Sequence, residues 1–161
     1  MHIHFGQTFN GNRSLTLPDS LGQQVLGPAG LLNLLETHLG LLVLLPTQSE
    51  RIVQFRNVLN VCKEHTFYHK SFELDELGTA RTLLQWRDTW YLHGWQGSFG
   101  PGVSEQLATM AEVEASAVTT VACCEGQRLQ AVLQMLEGGS IVPIRHISLY
   151  DEMDSFPLAW R

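Results

Sequence analysis

The residues best placed to do chemistry stand near the start of the chain. Gly6 and Gly11 are separated by four residues and followed by Asn12, Arg13 and Ser14. A phosphate-binding loop needs that glycine spacing, because glycine lets successive backbone N–H groups wrap the phosphates. It then needs a lysine for the terminal phosphates and a hydroxyl for magnesium. Here Asn12 holds the lysine position and Arg13 the hydroxyl position. The expected element is a degenerate phosphate loop, Gly6, Gly11, Asn12, Arg13 and Ser14, that binds no cofactor; a purely structural turn is the alternative. A nucleotide enzyme that substitutes Arg13 for the lysine ranks below both, because a planar guanidinium copies a compact, swinging ammonium poorly.

Other reactive types are present without a complete set of partners. His2 and His4 share one face of an expected strand and could begin a metal site. His65, His69, His93 and His146 are scattered, and there is no HExxH, so no metal is expected. The acidic groups fall in three places: Asp75 with Glu76, Glu112 with Glu114, and Asp151 with Glu152 and Asp154. The first pair suits the positive end of a helix, and the other two read as solvated. Magnesium-dependent nucleases of the PD-(D/E)xK type need a D/E-x-K on a strand, and the chain contains none. No serine lies in G-x-S-x-G, and Cys62, Cys123 and Cys124 form no CxxC. No catalytic residue is assigned. Trp86, Trp90, Tyr91 and Trp95 could stack bases, but their helical spacing favours core packing.

Composition narrows the classes further. The 161 residues suffice for one domain with a sizeable core. The formal net charge is −6 and the basic residues are dispersed, which argues against tight non-specific DNA binding. Charged residues make up only 16%, so some apolar surface is expected to face a partner. The thiols read as buried and free, as in a reducing cytoplasm. The N-terminus lacks a signal-peptide pattern, and the leucine-rich stretch 31–45 is too short and too polar to span a bilayer.

The elements that must position these residues can be read from pattern. His2–Phe5 and Gln23–Leu26 are expected strands, with 15–22 irregular. A helix follows, with Pro28 inside its start and Gly40 just past its end. Leu41–Leu45 fits either a strand or a buried turn. Thr47 or Ser49 caps a second helix with Ile52, Phe55, Leu59 and Cys62 on one face. Phe67–Phe72 reads as irregular. Glu73–His93 reads as the longest helix, with Leu77, Ala80, Leu84 and Tyr91 on one stripe and Leu83, Trp86 and Trp90 on a second. Ser104 caps a helix to about Ser116, 127–136 forms another, and Ile144–Leu149 is a strand before an acidic loop and a final helix start. Strands separated by helices predict an α/β fold with a mainly parallel sheet, flanking helices and a helical subdomain.

Three segments carry a family resemblance: Val25–Leu41, Arg51–Phe55 and Phe67–Trp95. They resemble the N-terminal region of bacterial PD-(D/E)xK superfamily nucleases related to the B subunit of the AddAB helicase-nuclease. The likeness covers most of the chain, including Arg128-Leu129 and the last strand. It implies a partial RecA-like, P-loop-like fold with a decayed ATP site, forming a single helicase-like domain over residues 1–161 as a fragment of a longer nuclease. It implies that the Gly6–Ser14 loop corresponds to the phosphate loop and that Gly27 and Pro28 end a strand contacting single-stranded DNA. On that reading the chain is a cytoplasmic, non-catalytic scaffold or DNA-path wall. Its partners are single-stranded DNA and the remaining domains of a parent deoxyribonuclease, with no membrane. The alternative is a stand-alone protein-interaction module with no nucleic-acid role.

Overall fold

The computed structural model describes residues 1–10, 21–41 and 46–161. Gly11, Asn12, Arg13 and Ser14, the irregular stretch 15–20 and most of the ambiguous 41–45 lie outside the described residues. The fold is α/β and divides into two compact units, one of residues 1–43 with 128–161 and the other of residues 44–127.

The first unit is built on three parallel strands, β1 (His2–Phe5), β2 (Gln23–Leu26) and β3 (His146–Leu149), in the order β2-β1-β3. Phe5 stands beside Leu26 on one side and Leu149 on the other, so the expected neighbours β1 and β2 do end together. Because successive side chains alternate, β1 sends Ile3 and Phe5 to one face and His2 and His4 to the other. Ile3 and Phe5 pack with Leu31 of α1 (Pro28–Leu39) and with Phe156. Burying side chains of this size contributes about 1.5–3 kcal/mol each.

The limits of α1 follow from its end residues. Gly27 is an extended N-cap, Pro28 fills the first helical position where no N–H is needed, and Gly40 adopts the left-handed conformation at φ 71°. The Gly40 N–H donates to the Glu36 and Thr37 carbonyls. Glu36 is itself buried and accepts from Arg128 Nε at 2.7 Å. Arg128 belongs to α6 (Glu125–Glu137), the helix in which the division between units falls.

The second unit is helical. Its members are α2 (Gln48–Cys62), α3 (His69–Leu74), α4 (Glu76–Leu92) and α5 (Glu105–Thr120). Thr47 and Glu50 form a capping box that starts α2. Two expectations are corrected here. Residues 67–72 are not all irregular, since His69–Leu74 forms α3, and the long helix begins at Glu76 rather than Glu73. Asp75 causes the break: its backbone is extended at φ −150°, and its carboxylate caps α4 by accepting from Gly78 N–H at 2.9 Å. The fourth expected helix also runs past Ser116 to Thr120. The core packs Phe55 and Leu59 against Phe72, Leu84, Met110, Val113 and Ala117. Of the expected α4 stripes, Ala80, Leu83, Leu84 and Tyr91 are buried, whereas Leu77 and Trp86 are about half exposed.

Charged groups inside this unit are the larger departure from the sequence reading. Glu114 is not solvated. It is 3% exposed and forms a bidentate pair with the fully buried Arg87, at 2.5 and 2.7 Å. Tyr91 Oη donates to the same carboxylate at 2.9 Å. Burial works against the Arg87 charge, but the bond to Glu114 and its negative charge prevail, so the pKa is raised. Beside it, Arg51 clasps Asp88 at 2.7 and 2.8 Å and donates from Nε to the Ala122 carbonyl at 3.1 Å. Removing one member of a buried pair strands the other without water. Glu114→Ala should therefore cost about 3–5 kcal/mol in urea unfolding. The joint change Arg87→Met with Glu114→Leu should recover most of that loss; equal losses in the single and joint variants would contradict this account of the pair.

Candidate functional site

The chemistry expected of the loop after β1 must be sought at the C-terminal edge of the sheet. In open parallel sheets ligands sit where the chain leaves adjacent strands in opposite directions. Here that place lies at the end of β1, with β2 on one side and β3 on the other. The residues gathered there are Gly6, Gln7, Phe9 and Asn10 after β1, Gly27 and Pro28 after β2, and Tyr150 and Asp151 after β3.

Gly6 begins a tight turn. Its N–H donates to the Leu26 carbonyl at 3.3 Å, and Gln7–Asn10 forms one short 3-10 helix. The Gln7 N–H, the first amide available to an anion, is already used: it donates to Asp151 Oδ2 at 2.6 Å. Asp151 is therefore not a solvated residue of an acidic loop, as its sequence context suggests. Its carboxylate takes up the Gln7 N–H, and its negative charge disfavours an anion at that amide. The Phe9 ring lies against Gly6. A Cβ on Gly6 would meet the Phe9 ring at 2.9 Å and Asp151 Oδ2 at 3.0 Å. The Gln7 side chain ties the turn down further by donating to the Ser155 carbonyl at 2.7 Å.

The turn after β2 is equally committed. Asn10 Oδ1 accepts from Ala29 N–H at 3.0 Å, so the loop from β1 supplies the cap that Gly27 lacks. A Cβ on Gly27 would collide with the Asn10 backbone nitrogen and side chain. Glycine is required at 27 by this close approach, since its φ of −85° is open to any residue. The structure thus brings Gly6 together with Gly27 and Pro28; the other four residues of the degenerate loop lie outside the described residues.

The opposite sheet face collects the histidines. His2 and His4 stack at 4.4 Å between ring centres, and His146 meets His2 edge-on at 4.6 Å. Their nitrogens are engaged with protein groups: His2 Nε2 with Ser148 Oγ at 2.9 Å, His4 Nδ1 with Tyr150 Oη at 2.9 Å, and His4 Nε2 with Gln23 Oε1 at 3.2 Å. Among the described residues no His, Cys, Asp and Glu grouping has metal-binding geometry. His65 and His69 lie elsewhere, on a shallow hollow with Glu64, Phe67 and Lys70.

The aromatic group expected in the core divides. Tyr91 and Trp95 are buried with Cys124, and Trp90 packs against them, whereas Trp86 is 44% exposed. The three cysteines are free, but Cys123 is exposed and only Cys124 is fully buried. Burial pushes the Cys124 thiol up to about 11, which leaves it unreactive near neutral pH. No single helix among the described residues is long and apolar enough to cross a membrane.

No family model matches the chain, and no curated protein or solved structure matches it either.

Two outcomes follow from this geometry. Replacing Asp151 by Ala removes the acceptor for Gln7, so hydrogen exchange at the Gln7 amide should accelerate about tenfold or more; unchanged protection would mean the carboxylate does not hold the turn. The histidine face should also respond to acid. Desolvation, then the neighbouring charges of His4, His146 and the N-terminal ammonium, lower the His2 pKa below its ordinary 6.5. A depressed folded value means that the unfolded chain binds the proton first. The contribution is therefore complete above pH 6.5 and is lost as pH falls through the folded value. The melting temperature should drop from pH 7.5 to pH 5, and His146→Gln should shrink that drop. An identical drop in wild type and variant would remove the cluster from the explanation.

Proposed function

We propose that the chain is a helicase-like, non-catalytic N-terminal domain of a DNA-processing PD-(D/E)xK nuclease, serving as a scaffold and as a wall of the DNA path. The observation that carries this reading is the turn after the central strand. It has the position and first glycine of a phosphate loop in a parallel sheet, yet its first amide is held by Asp151 and the Phe9 ring lies against its glycine. A domain that keeps the architecture of a nucleotide site while closing it internally is suited to positioning a strand rather than driving it. The resemblance of Val25–Leu41, Arg51–Phe55 and Phe67–Trp95 to such nucleases supports the RecA-like part of the reading.

The same edge supplies the proposed DNA contact. Of the expected pair Gly27 and Pro28, Gly27 is buried beneath Asn10, so the contact in this proposal falls to the half-buried Pro28 and the exposed Ala29 that follows it. The surrounding charge is unfavourable, with Asp151, Glu152 and Asp154 on the neighbouring loop. Binding by the isolated chain should therefore be weak, with most of the grip supplied by the remaining domains of the parent.

Fluorescence anisotropy with labelled single-stranded DNA should give no saturation below about 100 μM chain at physiological salt. In the parent protein, p-benzoylphenylalanine in place of Ala29 should crosslink to single-stranded DNA, whereas the same group in place of Val61 on α2 should not. Tight, salt-insensitive binding by the isolated chain, or crosslinking at position 61 alone, would contradict the proposal.

A further inference from the structure

The histidine face of the sheet carries an inference independent of the nuclease reading. The register sets His2 beside His146 and His4 beside Ser148, so these four side chains leave the sheet on one face. Ser148 Oγ stands 2.9 Å from His2 Nε2, within the reach a base needs to take a hydroxyl proton. Both residues are half-buried, and His146 next to them is exposed. The pair is therefore neither sealed in a core nor dispersed in bulk water.

The His2 ring is held in place by its neighbours. It stacks on His4 at 4.4 Å between ring centres, and His146 closes on it edge-on at 4.6 Å. His4 is fixed in turn, with Nδ1 bonded to Tyr150 Oη at 2.9 Å and Nε2 to Gln23 Oε1 at 3.2 Å. A hydroxyl, a base in contact with it and groups that orient the base are the parts that activate a serine in acyl transfer. The base is also in the right protonation state. Desolvation, then the charges of His4, His146 and the Met1 ammonium, keep the ring neutral in neutral solution. A neutral imidazole can accept the Ser148 proton, whereas an imidazolium cannot.

We propose that Ser148 is an acyl acceptor, with His2 as its general base, and that it takes acyl groups from activated esters. Ser148 Oγ attacks the carbonyl carbon as its proton passes to His2 Nε2. The bond from Oγ to the carbonyl carbon forms, the bond from that carbon to the leaving oxygen breaks, and His2 returns the proton to the leaving group. Nothing is oxidised or reduced, and no co-reactant is required. The substrate class follows from the parts present. The pair supplies a nucleophile and a base without an assigned donor for the oxyanion, so the acyl donor must bring its own good leaving group. The product is a modified serine on this sheet face.

Labelling the chain with p-nitrophenyl acetate tests this directly. Peptide mass mapping should place an acetyl group on Ser148, formed about 100-fold faster than on the exposed Ser49 at the start of α2. His2→Gln should lower the Ser148 rate about 100-fold, with circular dichroism showing the variant folded. In the wild type the ratio of the Ser148 rate to the Ser49 rate should fall with acid, through a pH below 6.5, as His2 takes up its proton. If the variant does not fold, this ratio and its pH profile decide the matter alone. A Ser148 that reacts no faster than Ser49 overturns the proposal, as does a ratio that is insensitive to acid or a folded His2→Gln variant that reacts like the wild type. Acetylation confined to the Met1 amine and the lysines would overturn it too.

Discussion

One hydrogen bond, from the Gln7 N–H to Asp151 Oδ2 at 2.6 Å, decides what the end of the central strand can hold. Backbone amides at the end of a strand are the usual grip on a phosphate, because they offer donors without side-chain entropy. Here the donor is satisfied from within the fold by a group of the ligand's own sign. The neighbours reinforce this: Phe9 lies over Gly6, Gln7 reaches Ser155, and Asn10 caps α1. Residues Gly6, Gln7 and Asn10 clamp the ends of the three strands to the start of α1. A phosphate at the Gln7 amide would have to displace a carboxylate, with no lysine in the sequence position that could compensate.

The helical unit shows where part of the chain's small stock of charge is used. Arg87 and Glu114 form a buried pair, and Arg51 and Asp88 a largely buried one. Such pairs add little net stability over well-packed apolar side chains, because both ions lose water. They do fix geometry, since any helix shift that separates them strands a charge. Arg87 lies on α4 and Glu114 on α5, while Arg51 links α2 to Asp88 on α4 and to the Ala122 carbonyl after α5. The ionic contacts therefore specify how three helices register, and the apolar core supplies the driving force.

Much of this architecture was legible in the sequence, and the illegible parts share a cause. β1, β2 and α1 are marked by local chemistry: alternation in His2–Phe5, proline at the first position of α1 and glycine beyond its end. The capping box at Thr47 is equally local. Glu114 and Asp151 look solvated in the sequence because an acidic residue shows its partner only when distant segments meet, and Arg87 and Gln7 are far away in sequence. The short α3 is not legible because its aromatic residues mask the helical period, and the break before α4 depends on how Asp75 uses its side chain. For Arg87 a signal was available: it follows Trp86 within the apolar spacing of α4, where a charged residue calls for a buried partner. At the candidate site, the glycine and the absent lysine were readable, whereas the intramolecular occupant of the turn was not.

The most direct test of this account is titration calorimetry of the chain with ATP and magnesium. A first amide held by Asp151, with Asn12 in the lysine position, predicts no saturable heat up to millimolar nucleotide. A one-site isotherm with a sub-millimolar dissociation constant would show that the strand end still grips a triphosphate, and would contradict the account.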